Sequence, residues 1–177
     1  MSPNLKAVVL VGHGGVPTDC PHDLVSKLKR LEAQRRKLGH PMTQEEIEAD
    51  HQIRHWPRTS ETDPYCAGIE ALASALKPHL QGARLSIAYN EFCTPTIEEA
   101  IAVLIQDGAT HISIVPSMLT PGGSHSEIEI PEILDGVRAL YPNATIEYVW
   151  PFNLKLLAEL LATHIKQLQE RSTVEVQ

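Results

Sequence analysis

The sequence predicts an α/β protein: a doubly wound, four-stranded parallel sheet with helices on both of its faces. The first observation is that apolar strand-like segments alternate with amphipathic helical segments in the order β-α-β-α-β-α-β-α. This alternation is typical of parallel sheets with right-handed crossovers. The second observation is that the strand segments are almost continuously apolar, as strands covered on both faces are.

Each element follows from the local pattern of apolar residues. The predicted strands are residues 6–12, 84–89, 110–116 and 144–150. Apolar residues at helical spacing follow each strand, and the predicted helices cover about 69–80, 97–104, 130–137 and 153–171. The last helix is the longest. Its apolar residues are expected to pack inward, namely Leu156, Leu157, Leu160, Leu161 and Ile165.

The segment 16–62 does not fit this alternation, because a connection between a strand and the next helix usually has about two to six residues. It carries helical signals of its own. Leu24, Leu28 and Leu31 recur at helical spacing, and Thr43 begins a Thr-Gln-Glu-Glu capping box. We therefore expect one domain over residues 1–177, with 16–62 as a helical insertion over the strand ends.

The composition excludes several classes of protein. Hydrophobic residues make up 42% and charged residues 21% of the 177, an ordinary globular balance. The formal net charge of −7 argues against binding nucleic acid or an anionic membrane surface. No apolar run approaches the roughly 18 residues that span a bilayer, and the N-terminus does not resemble a signal peptide. Three cysteines without a Cys-x-x-Cys motif fit reduced thiols, so we expect a cytoplasmic protein.

Two glycine-flanked histidines follow predicted strands. His13 stands in Val-Gly-His-Gly-Gly after the first strand, and His125 ends Pro-Gly-Gly-Ser-His after the third. Glu91 follows the second strand. The carboxyl ends of parallel strands form the edge where open α/β sheets bind ligands. Neutral imidazole binds divalent metals and can also accept a proton. Each histidine could instead simply cap its strand, and Glu91 could be a solvated carboxylate.

The acidic residues after His125 have a simpler interpretation. Glu127, Glu129 and Glu132 are spaced as in the first turn of a helix. Acidic side chains in that position complement the helix dipole. The sequence therefore favours this structural role over metal binding for all three.

Three blocks of sequence, taken in order, resemble the small class II chelatases, the family of sirohydrochlorin cobaltochelatases and ferrochelatases with their nickel-inserting relatives. The blocks are Val-Val-Leu-Val-Gly-His-Gly (8–14), Glu-Phe-Cys-Thr-Pro-Thr-Ile-Glu-Glu-Ala-Ile (91–101) and Val-Pro-Ser-Met-Leu-Thr-Pro-Gly-Gly-Ser-His (115–125). Each block is a weak signal alone, whereas the ordered set at predicted strand ends is fairly specific. The resemblance covers about residues 5–15 and 64–165, and most members lack the 16–62 segment.

The resemblance implies a chelatase-like fold in its single-half form, which pairs into a homodimer. It implies that His13 and His125 contact the metal and that His13 accepts a pyrrole proton. It also implies that Gly14 and the loop after the third strand line the tetrapyrrole pocket, with Glu91 at the pocket's edge. The loop residues are Leu119, Thr120, Pro121, Gly122, Gly123 and Ser124.

The reaction implied by the resemblance is the insertion of a divalent metal into sirohydrochlorin or a related tetrapyrrole, as in cobalamin or siroheme biosynthesis. Co²⁺ is the first candidate, with Fe²⁺ and Ni²⁺ as alternatives, because all three accept histidine ligands. The metal is a substrate, and no permanently bound cofactor is expected. A non-catalytic carrier of metal or tetrapyrrole on the same fold is the alternative.

Other features allow more than one interpretation. Basic residues of the 16–62 segment could pair with tetrapyrrole carboxylates or form a solvated helix face, namely Lys27, Lys29, Arg30, Arg35, Arg36 and Lys37. His51 and His55 have the i, i+4 spacing of helical metal ligands, but a surface pair explains them without a third ligand. An α/β-hydrolase lacks its Gly-x-Ser-x-Gly elbow here, and the Gly-x-Gly-x-x-Gly dinucleotide motif is incomplete.

Overall fold

The centre of the molecule is a four-stranded parallel sheet in the order β2-β1-β3-β4. The computed structural model describes residues 5–174, with side chains described through 171. The strands are β1 (Leu5–Gly12), β2 (Arg84–Tyr89), β3 (Ala109–Pro116) and β4 (Thr145–Tyr148). The sheet confirms the predicted α/β class, and the first three strands lie within one residue of their predicted bounds.

The described residues also form six α-helices. They are α1 (His22–Leu38), α2 (Gln44–Arg54), α3 (Pro64–Leu76), α4 (Ile97–Gln106), α5 (Ile130–Leu140) and α6 (Leu154–Val174). A 3₁₀ turn, Lys77–His79, extends α3, and one turn of π-helix, His125–Glu129, precedes α5. The helices α3, α4 and α5 are the crossover connections between consecutive strands, whereas α1 and α2 both lie within the 16–62 segment.

Local sequence signals determine where several helices begin. The Asp63 carboxylate accepts a hydrogen bond from the backbone of the first turn of α3 (2.9 Å). Thr96 and Glu99 form a complete capping box at the start of α4. Thr43 accepts a hydrogen bond from the Glu46 amide at the start of α2, which is one half of the predicted capping box.

Two apolar layers enclose the sheet, and side chains of β1 alternate between them. One layer lies under α4 and α5 and includes Val9, Val11 and Ile114, all 0% exposed. The other lies under α3 and includes Leu10 and Ile69. Because both faces of β1 are buried, the strand reads as a continuous apolar run rather than an alternating one.

The segment between β1 and α3 is a packed pair of helices with a small apolar core. The buried members of this core are Cys20, Leu28, Ala49 and Ile53. Phe92, from the loop after β2, packs against it. The buried carboxylate of Glu46 accepts a hydrogen bond from Arg35 Nε (2.7 Å), which joins α1 to α2. The helices predicted for 16–62 are therefore present and packed.

The fourth strand is shorter than the sequence pattern predicts. The pattern indicates residues 144–150, whereas the paired residues are Thr145–Tyr148. The Val149 amide still donates to the carbonyl of Ile114 (2.9 Å). The ladder ends there because Pro151 has no amide hydrogen and restricts the backbone of Trp150 before it.

The helix α6 forms where the sequence predicts it, but its apolar face is exposed rather than packed inward. The exposed fractions are 63% for Leu156, 62% for Leu160 and 55% for Ile165. No α6 side chain belongs to the apolar cores of the described residues. Helical periodicity predicts an apolar face without indicating what covers it. No described helix has the length and apolarity to cross a membrane.

We expect Ile101→Ala to lower the free energy of unfolding by about 3 kcal/mol, because it leaves a cavity in the layer under α4. Ile101 is 0% exposed, whereas Val103 on the same helix is 55% exposed. Val103→Ala is the matched control and should change the free energy of unfolding by less than about 0.5 kcal/mol. Urea titration followed by circular dichroism measures both. Equal losses in the two variants would contradict the described packing of α4.

Candidate metal centre

The carboxyl ends of β1, β2 and β3 bring His13, Glu91 and His125 into one cluster. Gly12 lies opposite Tyr89 in the parallel register, and Val11 lies opposite Pro116, so the three strands end at the same edge. His13 follows β1 directly, Glu91 stands two residues beyond β2, and His125 begins the π-helical turn after β3. The three residues predicted from strand-end positions therefore lie together.

A close backbone contact fixes the first two loops to each other. The Glu91 amide donates to the carbonyl of His13 (2.8 Å), and the Asn90 amide donates to that of Gly12 (3.0 Å). Gly14 has φ +95°, and a Cβ there would lie 1.8 Å from the Glu91 carbonyl oxygen. No other residue type fits this position, because the backbone conformation and the space both exclude a side chain.

The donor atoms of the cluster are within reach of a single ion. His13 Nε2 lies 3.0 Å from His125 Nε2 and 3.8 Å from Glu91 Oε2. One donor atom from each of the three residues lies within 4.8 Å of the other two, and all three side chains are half-buried. Two imidazoles and one carboxylate that are open to solvent form a set that suits a borderline divalent metal.

Hydrogen bonds at the other ring nitrogens indicate which nitrogens of the two histidines carry protons. His13 Nδ1 lies 2.7 Å from the carbonyl of Gly14, and His125 Nδ1 lies 2.8 Å from Glu129 Oε2. Asn90 Nδ2, a donor, also lies 3.0 Å from His125 Nδ1, but the shortest contact of each Nδ1 is to an acceptor. We therefore assign a proton to both Nδ1 atoms, which leaves a lone pair on both Nε2 atoms. Two lone pairs 3.0 Å apart repel each other unless a proton or a metal lies between them. The pair can therefore bind a metal or take up a proton.

Glu129 orients His125, and Asn90 in turn orients Glu129. Asn90 is 8% exposed, and its Nδ2 donates to Glu129 Oε2 (3.1 Å). Burial by itself raises the pKa of Glu129, but the hydrogen bonds from His125 and Asn90 outweigh burial and lower this pKa below its ordinary value. Carboxylate partners of this kind fix the ring orientation of metal-binding histidines.

Sequence reasoning missed this supporting pair. It interpreted Glu129 as part of a first helical turn, and the π-helical turn instead places its carboxylate beside the ring of His125. It did not consider Asn90, although a polar residue directly between β2 and Glu91 was a signal. It also missed Tyr65, whose hydroxyl accepts a hydrogen bond from the His13 amide (2.8 Å) and lies 3.4 Å from Ser117 Oγ.

The loop from Leu119 to Ser124 lies at the surface beside His125. All six of its residues are exposed, and Leu119 retains 45% of its surface. Gly122 has φ +101°, and its amide donates to Glu127 Oε1 (3.1 Å). The hydrogen bond at Gly122 thus fixes the loop, while its apolar and small side chains remain available to a ligand.

A cavity of about 350 Å³ lies next to the cluster and under the helices α1 and α2. Its walls are formed by Asn90, Glu91, Phe92 and Glu129 on the sheet side, and by Glu32, Arg35, Arg36, Met42, Asp50 and Arg54 on the helix side. The α1–α2 pair therefore reaches the strand-end edge. Of its basic residues, Lys27 and Arg35 pair with Glu45 (2.9 Å) and Glu46 (2.7 Å).

Two other groups of candidate ligands are less suited to bind a metal. Asp63, Cys66 and Cys93 lie close together, but burial raises the pKa of Cys93 to about 12, which keeps the thiol protonated. The Asp63 carboxylate is already paired with Arg58.

The rings of His51 and His55 stack with centroids 4.0 Å apart. Among the described residues, no third ligand joins those two histidines.

The fold and this cluster define a class: an open α/β domain with a His–His–Glu cluster, able to hold a metal ion, at the carboxyl ends of its strands. The CbiX family model matches residues 58–168, more than half of the chain. The chain therefore belongs to the CbiX family, which confirms the resemblance to the class II chelatases. The matched range contains Glu91 and His125, whereas His13, α1 and α2 precede it.

Two curated relatives are sirohydrochlorin ferrochelatases. The one from Bacillus subtilis is 32% identical over 84 residues, covering 48% of this chain and 32% of the relative. The one from Priestia megaterium is 30% identical over 117 residues, covering 65% of this chain and 42% of the relative. The chain thus spans less than half the length of these relatives.

Solved structures share the fold. SirB from Bacillus subtilis with Fe³⁺ has a TM-score of 0.50 at 22% identity, covering 83% of this chain and 40% of SirB. A protein from Marinobacter aquaeolei VT8, described as a CbiX protein of cobalamin biosynthesis, has a TM-score of 0.56 at 18% identity. That match covers 94% of this chain and 97% of the other. The fold thus has a counterpart of about the same length as this chain.

We expect Glu129→Gln to weaken Co²⁺ binding about tenfold or more, because the amide no longer fixes the His125 ring and its tautomer as the carboxylate does. Isothermal calorimetry with metal-free protein measures the affinity. Glu98→Gln, which neutralises an exposed carboxylate in the first turn of α4, is the control and should leave the affinity unchanged. An unchanged affinity in Glu129→Gln would refute the orienting role.

Proposed function

We propose that this protein is a metal chelatase that inserts a divalent metal into sirohydrochlorin or a related tetrapyrrole. The observation that carries the proposal is the pair of Nε2 lone pairs of His13 and His125, 3.0 Å apart beside Glu91 at an open edge of the sheet. The ferrochelatase relatives and the family membership support the same reaction. Co²⁺ is the first candidate for the metal, with Fe²⁺ and Ni²⁺ as alternatives.

The proposed mechanism uses the cluster for both metal and protons. The two histidines bind the metal after it loses part of its hydration shell, and histidine ligands release it more readily than a set of thiolates would. Insertion replaces two pyrrole N–H protons by one M²⁺. Once the metal has passed from His13 to the macrocycle, the freed Nε2 takes one proton, since a neutral imidazole is a competent base at cellular pH. The Glu91 carboxylate, 3.8 Å from that nitrogen, takes the other.

The tetrapyrrole is proposed to lie against Gly14 and the exposed loop from Leu119 to Ser124. This placement puts the macrocycle over the open side of the cluster, where the side chains retain solvent contact. Arg36 lines the adjacent cavity and takes part in no ion pair among the described residues, so its guanidinium is available for a substrate carboxylate. The metal and the tetrapyrrole are both substrates, and no resident cofactor is required.

A homodimer is proposed because one chain leaves a large apolar face uncovered. Exposed leucines and isoleucine run along α6, and the chain corresponds to less than half of its ferrochelatase relatives. A second copy would cover this face by symmetric packing. The three free cysteines fit a reducing cytoplasm. The proposed reaction would serve cobalamin or siroheme biosynthesis.

We expect the protein to accelerate insertion of at least one of Co²⁺, Fe²⁺ and Ni²⁺ into sirohydrochlorin over the spontaneous rate. In His13→Ala the acceleration should fall about 100-fold or more, because metal ligand and base are lost together. Anaerobic absorbance spectroscopy follows the reaction. His111→Ala, at the opposite end of β3, is the control and should retain the rate. Retained activity in His13→Ala would remove the assignment, and binding without turnover in the wild type would favour a carrier.

We expect Leu160→Lys to convert the dimer into a monomer, since it places a charge in the centre of the apolar α6 face. Size-exclusion chromatography with light scattering measures the mass. Leu140→Lys on α5 introduces the same change at another exposed position (74%) and should leave the dimer intact. A wild-type protein that is monomeric at micromolar concentration would contradict the homodimer.

A further inference from the structure

We propose that Arg54, in the last turn of α2, is a positioning residue that holds Glu91 in the metal cluster. The inference rests on the proposed metal-binding function and adds to it a role for the segment that precedes the family match. Arg54 does not contact the histidines. It acts on the loop between β2 and α4, which carries Glu91.

The Glu91 side chain has little to hold it in place. It contacts His13 and His125 only at 3.8 and 4.0 Å, and no hydrogen bond of the described residues ends on its carboxylate. Its position is therefore set by its backbone. A carboxylate that must approach a metal with ångström accuracy needs a rigid loop beneath it.

One side of that loop is already fixed by backbone contacts. The Glu91 amide donates to His13, the Asn90 amide donates to Gly12, and the Cys93 amide donates back to the Glu91 carbonyl (2.7 Å). These bonds use the amide groups of the loop. Three carbonyl groups of the loop take no part in these backbone bonds and require other donors. They belong to Asn90, Phe92 and Cys93.

Arg54 supplies donors to two of the three carbonyls. Its Nη1 donates to Cys93 O (3.1 Å) and its Nη2 donates to Asn90 O (3.3 Å). These two residues flank the Glu91–Phe92 pair, so one guanidinium spans the loop. Asp50, one turn earlier in α2, accepts a hydrogen bond from Arg54 Nε (2.7 Å) and so holds the guanidinium in this orientation.

Arg58 donates to the third carbonyl, that of Phe92, and also contacts the loop after β1. Its guanidinium donates to the carbonyls of Phe92, Ile53 and Gly15 and pairs with the Asp63 carboxylate. Phe92 needs this support because its φ of +55° lies in the left-handed region, which a non-glycine residue rarely adopts. The end of α2 and the residues after it thus hold the outer side of the Glu91 loop.

Arg54 is the better residue for an experiment than Arg58. Arg58 is 13% exposed and pairs with Asp63, which is also the cap of α3, so its loss threatens the fold. Arg54 contacts the loop and Asp50, a half-buried residue of the same helix. Arg54→Met keeps an unbranched, flexible side chain in place of the arginine stem while removing all five donors.

The test is a double-mutant cycle on Co²⁺ affinity, measured by calorimetry on metal-free full-length protein without tetrapyrrole. The absence of tetrapyrrole excludes any effect of Arg54 on substrate contacts in the cavity. We expect Arg54→Met to weaken Co²⁺ binding about tenfold. In the Glu91→Gln background the same change should weaken binding less than about twofold, because the residue that Arg54 positions no longer provides a carboxylate.

Two further variants separate positioning from general instability. Arg84→Met removes an arginine that pairs with one carboxylate, Asp107 (2.7 Å), at the opposite end of β2, and should leave the Co²⁺ affinity unchanged. Arg54→Lys keeps a cation but cannot span both carbonyls, so its affinity should lie between those of the wild type and Arg54→Met. If Arg54→Met does not fold, the cycle is run with Arg54→Lys.

An unchanged Co²⁺ affinity in the Arg54 variants, or an equal loss with and without the Glu91 carboxylate, would overturn the positioning role and leave the proposed function intact. A wild-type protein that binds no Co²⁺, Fe²⁺ or Ni²⁺ would overturn both. A loss confined to the background with an intact Glu91 supports the proposal.

Discussion

The cluster of His13, Glu91 and His125 depends on the contact between the backbones of Gly14 and Glu91. A side chain at position 14 would collide with the Glu91 carbonyl, and two amide–carbonyl hydrogen bonds join the two loops just before this point, at Gly12 and His13. The loop after β1 and the loop after β2 therefore behave as one unit. The positions of His13 and Glu91 relative to each other follow mainly from this main-chain contact, with Arg54 and Arg58 holding the outer side of the Glu91 loop. The ring of His125 is instead oriented by the side chains of Glu129 and Asn90.

Much of the fold and the three central residues of the site could be predicted from sequence. Continuous apolar runs identified the parallel strands, and parallel strands place their carboxyl ends along one edge. His13, Glu91 and His125 could thus be grouped without knowledge of the contacts. The length of β4 could not be predicted, because the loss of pairing depends on where Pro151 falls relative to the neighbouring strand.

The supporting residues escaped prediction for a different reason. Glu129 lies four residues after His125. This spacing fits a glutamate that complements the helix dipole as well as it fits one that orients the imidazole ring of His125. Only the π-helical geometry and the buried amide of Asn90 distinguish the two. The basic face of α1 was equally ambiguous. In the structure Arg35 pairs with Glu46 of α2, and both Arg35 and Arg36 line the cavity. The pairing of these residues with substrate carboxylates stays a prediction.

The wide separation of the cluster residues along the chain has a thermodynamic consequence. His13 and His125 are 112 residues apart and meet only when β1 and β3 are paired, so an unfolded chain offers no comparable site. A ligand that binds both side chains then binds the native state alone. By mass action such a ligand stabilises the fold, by about 2.7 kcal/mol when its free concentration is about a hundred times its dissociation constant. The melting temperature of the protein becomes a direct report of the occupancy of its strand-end site.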